Sequence, residues 1–525
     1  MPPRKPFWLR FLIGTATTVV CGVVSLAAFF GVVAYSARQT WFQETAFGFM
    51  SSLPGPTPKD PPAQPHQPYE RPDPTALNVA DARQLFAPTN VWPAHLRFSS
   101  NQWTDLGPKR VRRMRGWIRS DGALNLHNPN ASRPGVAGVF GLDFPWSKGD
   151  LEFGGVALNP VAVRFKGNGT FLDARGSYRR PFKIDLDKDQ PDRRFAGQAS
   201  LNLHNLTADA SCLRDTLAYE LFRDAGVPAP RTTFVRLRLT IDGKWSDRIL
   251  GLYLLVEDPD RHWAAENFQR DGAVVFKPVT PELFYDLGTD WKAYKEVYDP
   301  KTPVSDAQKK RLLEVVRLVS HADDAEFARR IVEEFDLDRT ASFFACEALL
   351  AHFDGILNQG QNFLLWLDPR SDQFGFSPWD QDHSWGEFGM IGTREERERA
   401  SLDHPWVGRH RFLERLMAVP AFRDRYRAKL TSILDTLFTP ERLHRRIDEL
   451  LDVIRPALAE ESAERLDRCL AAINETVPSS GADSDPQRYR LKRFISLRAQ
   501  EARQQLAGKS AGVVLVRRGL GEQNN

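Results

Sequence analysis

The chain has 525 residues, of which 71 are Lys or Arg and 67 are Asp or Glu, for a formal net charge of +4; so small an imbalance argues for no nucleic-acid partner. Apolar residues make up 42% and charged residues 26%, which excludes a wholly disordered or fibrous chain. The 4 cysteines show no CxxC spacing, which excludes the common zinc modules and a disulfide-dense scaffold.

Residues 11–37 contain no charged side chain. At about 1.5 Å per residue, a helix of this run crosses a hydrocarbon core of about 30 Å with some tilt, and it is longer than the roughly 7–15 apolar residues of a cleaved signal peptide. Arg4, Lys5 and Arg10 precede it and only Arg38 follows closely, so the positive-inside rule puts residues 1–10 in the cytoplasm and everything after the span outside. Prolines between Ser51 and Pro74 forbid helix and ladder pairing, and residues 38–75 read as an extended spacer.

Beyond the spacer, residues 76–160 read as a β-rich segment. Its basic run, Lys109, Arg110, Arg112, Arg113, Arg115 and Arg119, suits a solvated strand face. Further on, Lys183 lies between Phe182 and Ile184 in a β-like alternation, so its ammonium can leave the strand on one face and meet phosphate oxygens as a point charge. Gly167-Asn168-Gly169 is a turn signal whose backbone amides could approach a phosphate. The spacing of Leu213, Leu217 and Leu221 predicts a helix over about residues 210–225, ended by Gly226 and Pro228, with Glu220 close to the apolar stripe.

Glu257 ends an apolar run and opens a Pro-containing turn, which suits a hinge. Lys277 closes the run AVVFK, and it rivals Lys183 as a nucleotide contact. Cys212 and Cys346 sit in helix-like apolar contexts and read as core residues. After Pro440 the pattern is helical and charged, Pro478 to Gln487 is loop-like, and residues 509–525 read as a loose tail.

The densest chemistry lies between His352 and Gly386. Asp354, Asn358, Asn362, Asp380 and Asp382 fall in two short acidic-amide clusters, separated by the apolar run from Phe363 to Leu367, a turn at Asp368-Pro369 and a second short run through Phe374 and Phe376. Magnesium takes carboxylate and amide oxygens and keeps nucleotide phosphates as further ligands, while an acceptor hydroxyl needs a carboxylate to orient it and take its proton. Asp and Asn on neighbouring loops can do both.

An Asp, then an Asn before an aromatic-apolar strand, then Pro378-Trp379-Asp380-Gln381-Asp382 and a Gly386 resemble the CotH family of spore-coat and secreted protein kinases. The resemblance covers about residues 161–452. It takes in the Lys183 strand, the helix ending in Gly226-Val227-Pro228-Ala229-Pro230, and the later run from Arg411 to Leu430. It implies an α+β, two-lobed, atypical protein-kinase-like domain over residues 161–508, with an N-lobe to about residue 257 and a C-lobe after it.

By the same resemblance, Asp354 is the catalytic base, and Asn362 is its amide partner and a metal ligand, with Asn358 as the alternative. Asp380 holds the metal, with Asp382 sharing that role. Kinase-like sites hold the phosphate-binding lysine with a helix carboxylate, which would make Glu220 the partner of Lys183. Gly167 and Asn168 would approach the phosphates, although this sequence lacks the hydroxyl residues that the family carries after the Asn.

The activity implied is transfer of the γ-phosphoryl group of ATP, with Mg2+ or Mn2+, to a hydroxyl side chain of an envelope or surface protein. The expected localisation is a membrane-anchored domain in the periplasm or at the cell surface. A catalytically silent scaffold and another nucleotide-dependent transfer, adenylylation or glutamylation, remain the alternatives, because fold does not fix function.

Overall fold

Alternation of apolar residues builds the first half of the molecule. The structure, a computed structural model, describes residues 81–112, 128–474 and 490–517; the expected membrane span and the spacer lie outside them. Among the described residues no helix is long and apolar enough to cross a membrane.

Seven strands close into a ring: β1 (Val91–Phe98), β2 (Ser147–Phe153), β3 (Val161–Phe165), β4 (Phe182–Asp185), β5 (Ser200–His204), β6 (Thr232–Ile241) and β7 (Trp245–Val256). Their spatial order is β1-β6-β7-β5-β4-β3-β2, and β2 pairs back onto β1. The β1–β6 pair is parallel over its whole length, Val91 opposite Phe234 through Phe98 opposite Ile241, and the other pairs are antiparallel. The ring is filled by inward side chains such as Leu96, Leu151, Val163, Phe182, Leu203 and Leu237. Closure leaves no free edge, so β1 and β2 belong to the same unit as the expected N-lobe. The β-rich segment 76–160 is therefore no separate unit, and the boundary expected at Val161 falls inside a continuous sheet.

The second half is helical. Five helices frame it: α1 (Arg214–Asp224), α2 (Leu337–Leu350), α3 (Pro420–Thr436), α4 (Pro440–Glu461) and α5 (Leu491–Leu506). Apolar on nearly every side, α2 is buried along almost its whole length, as a helix must be when it runs through a core. Asp336 caps its start by accepting from Arg339 N, and Ala351 ends it in the left-handed region at φ 46°. Beside it lies a small antiparallel sheet, β8 (Val274–Phe276), β9 (Phe363–Leu367) and β10 (Phe374–Pro378), in which every residue is buried.

The two halves share one wall. Along β7, Tyr253 and Leu255 point into the ring, while Leu252, Leu254 and Val256 join the helical core. Arg179 and Arg236 from the barrel side pair with Glu461 and Glu460 of α4, which fixes the two halves around a single cleft.

The C-terminal stretch is docked as far as Arg517, where the sequence suggested looseness from Lys509. Val513 exchanges backbone hydrogen bonds with Arg399 and Ser401 at 2.7 and 2.8 Å, Leu515 is buried, and Arg517 donates to Asn358. An apolar side chain and a guanidinium with buried partners hold it, and composition alone hid both.

Candidate active site

The cleft is built from a polar face of the barrel and two loops of the helical half. Period-two alternation puts Arg164, Lys166, Lys183, Asn202 and His204 on one face of β3, β4 and β5 and at their ends, with Arg164 opposite Lys183 and Lys183 opposite Asn202. All five line the cleft, together with Lys277, Asn362, Asp380 and Asp382. A cationic wall thus faces an acidic one.

The loop after α2 holds Asp354 against two residues of the acidic wall, Gln361 and Asn362. Asp354 Oδ2 accepts from Asn362 Nδ2 at 2.9 Å and its Oδ1 from Gln361 Nε2 at 3.1 Å. Asn362 is therefore the amide that meets Asp354. Asn358 is instead buried, donating to the Phe353 carbonyl and held by Arg517. Burial raises the Asp354 pKa above the ordinary carboxylate value, against the pull of His383 and His352.

Asp380 and Asp382 lie on the loop after β10. Asn362 and Asp380 both adopt left-handed backbone, at φ 58° and 53°, a strained conformation that surrounding bonds must hold. Here α1 supplies them: Tyr219 Oη accepts from Asp380 N at 2.9 Å, and Asp215 Oδ1 accepts from Gln381 N at 2.6 Å. The Trp379 amide donates to the Asn362 carbonyl at 3.2 Å and ties the two loops together.

Electrostatics separates the two carboxylates. Burial would raise the Asp380 pKa, but His204, Lys277 and Lys166 outweigh it and hold the value below the ordinary one. Burial pushes His204 down to about 3, so it is neutral near pH 7, and the two lysines supply the positive charge. Asp382 is driven well above the ordinary value, first by burial and then by Asp380, Asp215 and Asp354, against the nearby His383. Asp215 is pushed up to about 8, again by burial and then by Asp380.

Lys166 was not singled out from the sequence, and it stands closer to the chemistry than Lys183. Its Nζ lies 2.7 Å from His204 Nε2 and 5.6 Å from the centre of the Trp379 ring, while Lys277 Nζ lies 5.0 Å from the same ring. Burial pushes the Lys166 ammonium down to about 7, with Asp380 opposing the fall, and lowers Lys277 to about 8. His204 Nδ1 faces Asp215 Oδ2 at 3.5 Å, which completes a line from α1 to the lysine. The alternation in Val163-Arg164-Phe165-Lys166 was the available signal.

The structure does not bring Lys183 and Glu220 together. Lys183 Nζ pairs with Asp258 Oδ2 at 2.6 Å, where Ser200 Oγ also donates to the carboxylate. Glu220 turns to α4 and accepts from Arg446 at 2.8 and 2.9 Å. The apolar stripe of α1 is buried as expected, but Glu220 lies on the flank that meets α4. Gly167 and Asn168 do reach the cleft edge, yet the Gly167 carbonyl and Asn168 Oδ1 both accept from Arg133, at 2.7 and 2.8 Å. Glu257 ends β7 where the chain leaves the barrel, held by Arg231.

For a metal, the donor set decides. Among the described residues no group of three or more His, Cys, Asp or Glu stands ready to enclose a cation. Magnesium at phosphate-transfer sites, however, takes one or two carboxylates and completes its shell with phosphates and water. Asp380 and Asp382 fit that demand, and Asp215 Oδ2 is buried without a hydrogen-bond partner beside them. Crowded carboxylates of this kind are what a divalent cation relieves.

The family described as CotH kinase protein matches residues 163–501. Inner spore coat protein H of Bacillus subtilis (strain 168) is 25% identical over 326 residues, which span 59% of this chain and 86% of that protein. A solved structure, the Helicobacter pylori proinflammatory kinase CtkA, aligns over 63% of this chain and 92% of its own, with 8% identity and a TM-score of 0.22. With more than half of its length matched by the family, this α+β protein belongs to the CotH family.

Proposed function

We propose that the chain is a membrane-anchored, extracytoplasmic protein kinase that transfers the γ-phosphoryl group of ATP to a hydroxyl side chain of an envelope or surface protein. The observation that carries this reading is a cleft lined by Asn362, Asp380, Asp382, Lys166 and Lys277, with Asp354 hydrogen-bonded to Asn362. A base for the hydroxyl, oxygens for a cation and ammonium groups for phosphate are the parts that phosphoryl transfer asks of a protein.

In this reading Asp354 orients the acceptor hydroxyl and takes its proton, and its raised pKa suits a group that must accept one. Gln361 and Asn362 hold its two oxygens in place. Asp380, Asp382 and the amide oxygen of Asn362 would hold Mg2+ or Mn2+, which on binding would neutralise charge on the phosphates. Lys166 and Lys277 would meet phosphate oxygens across from the acidic wall, and phosphate there would restore the charge on a lysine that burial weakens. Residues 11–37 would keep the domain at the outer face of the membrane, beside its protein substrates.

The test uses the full chain with either γ-labelled or α-labelled ATP and each divalent cation. Label reaching protein from the γ-position alone is the expected result. It should fall by about 10²-fold or more in Asp354→Asn, with nucleotide affinity little changed. Transfer of the α-label would indicate adenylylation, and no transfer at all would indicate a scaffold.

A further inference from the structure

Three cysteines lie among the described residues, all free thiols, and two of them share one place. Cys212, in the turn before α1, and Cys469, in the helix Ala463–Ile473, are both fully buried and lie near enough for each to shift the other's titration. Cys469 Sγ also donates to the carbonyl of Ser211 at 3.2 Å. Arg465, one helical turn before Cys469, donates Nη2 to Cys212 Sγ at 2.9 Å.

The two sulfurs are not equivalent. Contact with Cys469 is the main cause that holds the Cys212 thiol below its ordinary pKa, and Arg465 adds to it against the effect of burial. Cys469 is driven well above its ordinary value by the same contact and by burial. A thiol favoured as thiolate beside one that stays protonated is the arrangement of an attacking and a resolving cysteine.

We propose that Cys212 and Cys469 form a reversible disulfide that staples the turn before α1 to the helix Ala463–Ile473, made by exchange with a disulfide-bearing donor. The Cys212 thiolate attacks one donor sulfur and displaces the other. Cys469 then gives up its proton, attacks Cys212 Sγ in the mixed disulfide and displaces the second donor sulfur. The pair loses two electrons and two protons, and the donor leaves as two thiols. Because both sulfurs are buried, exchange takes place as the chain folds or when the helix Ala463–Ile473 opens.

The turn is the root of the helix that holds the site. Asp209 Oδ2 accepts from Arg214 N at 2.9 Å, the Arg214 carbonyl accepts from Trp385 Nε1 at 3.2 Å, and Asp215 and Tyr219 hold the backbone of the Asp380 loop. Oxidation therefore fixes α1 and, through it, Asp380. Ser211 and Cys469 are 258 residues apart, so the crosslink also removes much of the freedom of the unfolded chain.

The test applies glutathione disulfide to the purified full chain, both native and during refolding, followed by alkylation in denaturant and digestion without reduction. The expected product is a peptide pair linked through Cys212 and Cys469, with Cys346 alkylated. Oxidised wild type should unfold about 5 °C or more above the reduced protein, a gap that Cys469→Ser and Cys469→Ala should both lose. Alkylation of Cys212 and Cys469 in every sample, linkage of either to Cys346, or a linked pair with no shift in midpoint overturns the proposal.

Discussion

Glu220 and Lys183, expected to meet, face different partners: Lys183 pairs with Asp258 and Glu220 with Arg446. The carboxylate that α1 directs at the site is Asp215, whose Oδ1 bonds Gln381 N, while Glu220 is engaged by both Nε and Nη2 of Arg446. Glu220→Gln is therefore expected to keep kcat/KM for ATP within about threefold of wild type, since it removes no interaction with the transition state. Steady-state transfer assays check this; a fall of about tenfold or more with an unchanged unfolding midpoint would return Glu220 to the site. The Asp354–Asn362 pair was legible because its members are 8 residues apart on the one loop that leads into β9. Lys183 and Asp258 are 75 residues apart, and nothing local in the sequence joins them. Lys166 was hidden by the turn after it, although Val163-Arg164-Phe165-Lys166 alternates well enough to place two cations on one face.

At the level of single elements, the helix Arg411–Ala418 is started by a titratable cap. His410 Nδ1 accepts from Leu413 N at 3.3 Å, a bond that only the neutral ring can make, and burial pushes this buried histidine down to about 4, helped by Arg517. The sign follows from the two states. Between the unfolded value of about 6.5 and the folded value of about 4, the unfolded chain binds the proton and the folded chain does not. The contribution of His410 to stability is thus present above the unfolded pKa and is lost as pH falls through this window, at about 1.4 kcal/mol per pH unit. Asn caps a helix without titrating, so the loss of stability between about pH 7 and 5 should be smaller in His410→Asn by about 2 kcal/mol. Denaturant unfolding at the two pH values measures it, and equal losses would mean that the cap stays intact when the ring is protonated.

For the molecule as a whole, the deciding feature is the closure of the barrel. The family match begins at Val163, inside β3, and so leaves out β1 and β2, which complete the ring between β6 and β3. The Lys183 strand was legible from its alternation, but closure was not: parallel pairing of β1 with β6 joins segments more than a hundred residues apart, with no turn between them to announce it. Without β1 and β2 the outer edges of β6 and β3 would be left unpaired, and side chains filling the ring, Val235, Leu237 and Val163 among them, would meet water. Unpaired edges and uncovered apolar faces lead to aggregation rather than to a smaller fold. A chain beginning at Val161 should therefore collect in the insoluble fraction or unfold without cooperativity, whereas one beginning at Asp81 should be soluble with a single sharp transition. Parallel expression and calorimetry of the two separate the possibilities. Should the Val161 chain melt as cooperatively as the longer one, the cleft would need only the matched residues, and β1 and β2 would be an addition to a lobe that stands without them.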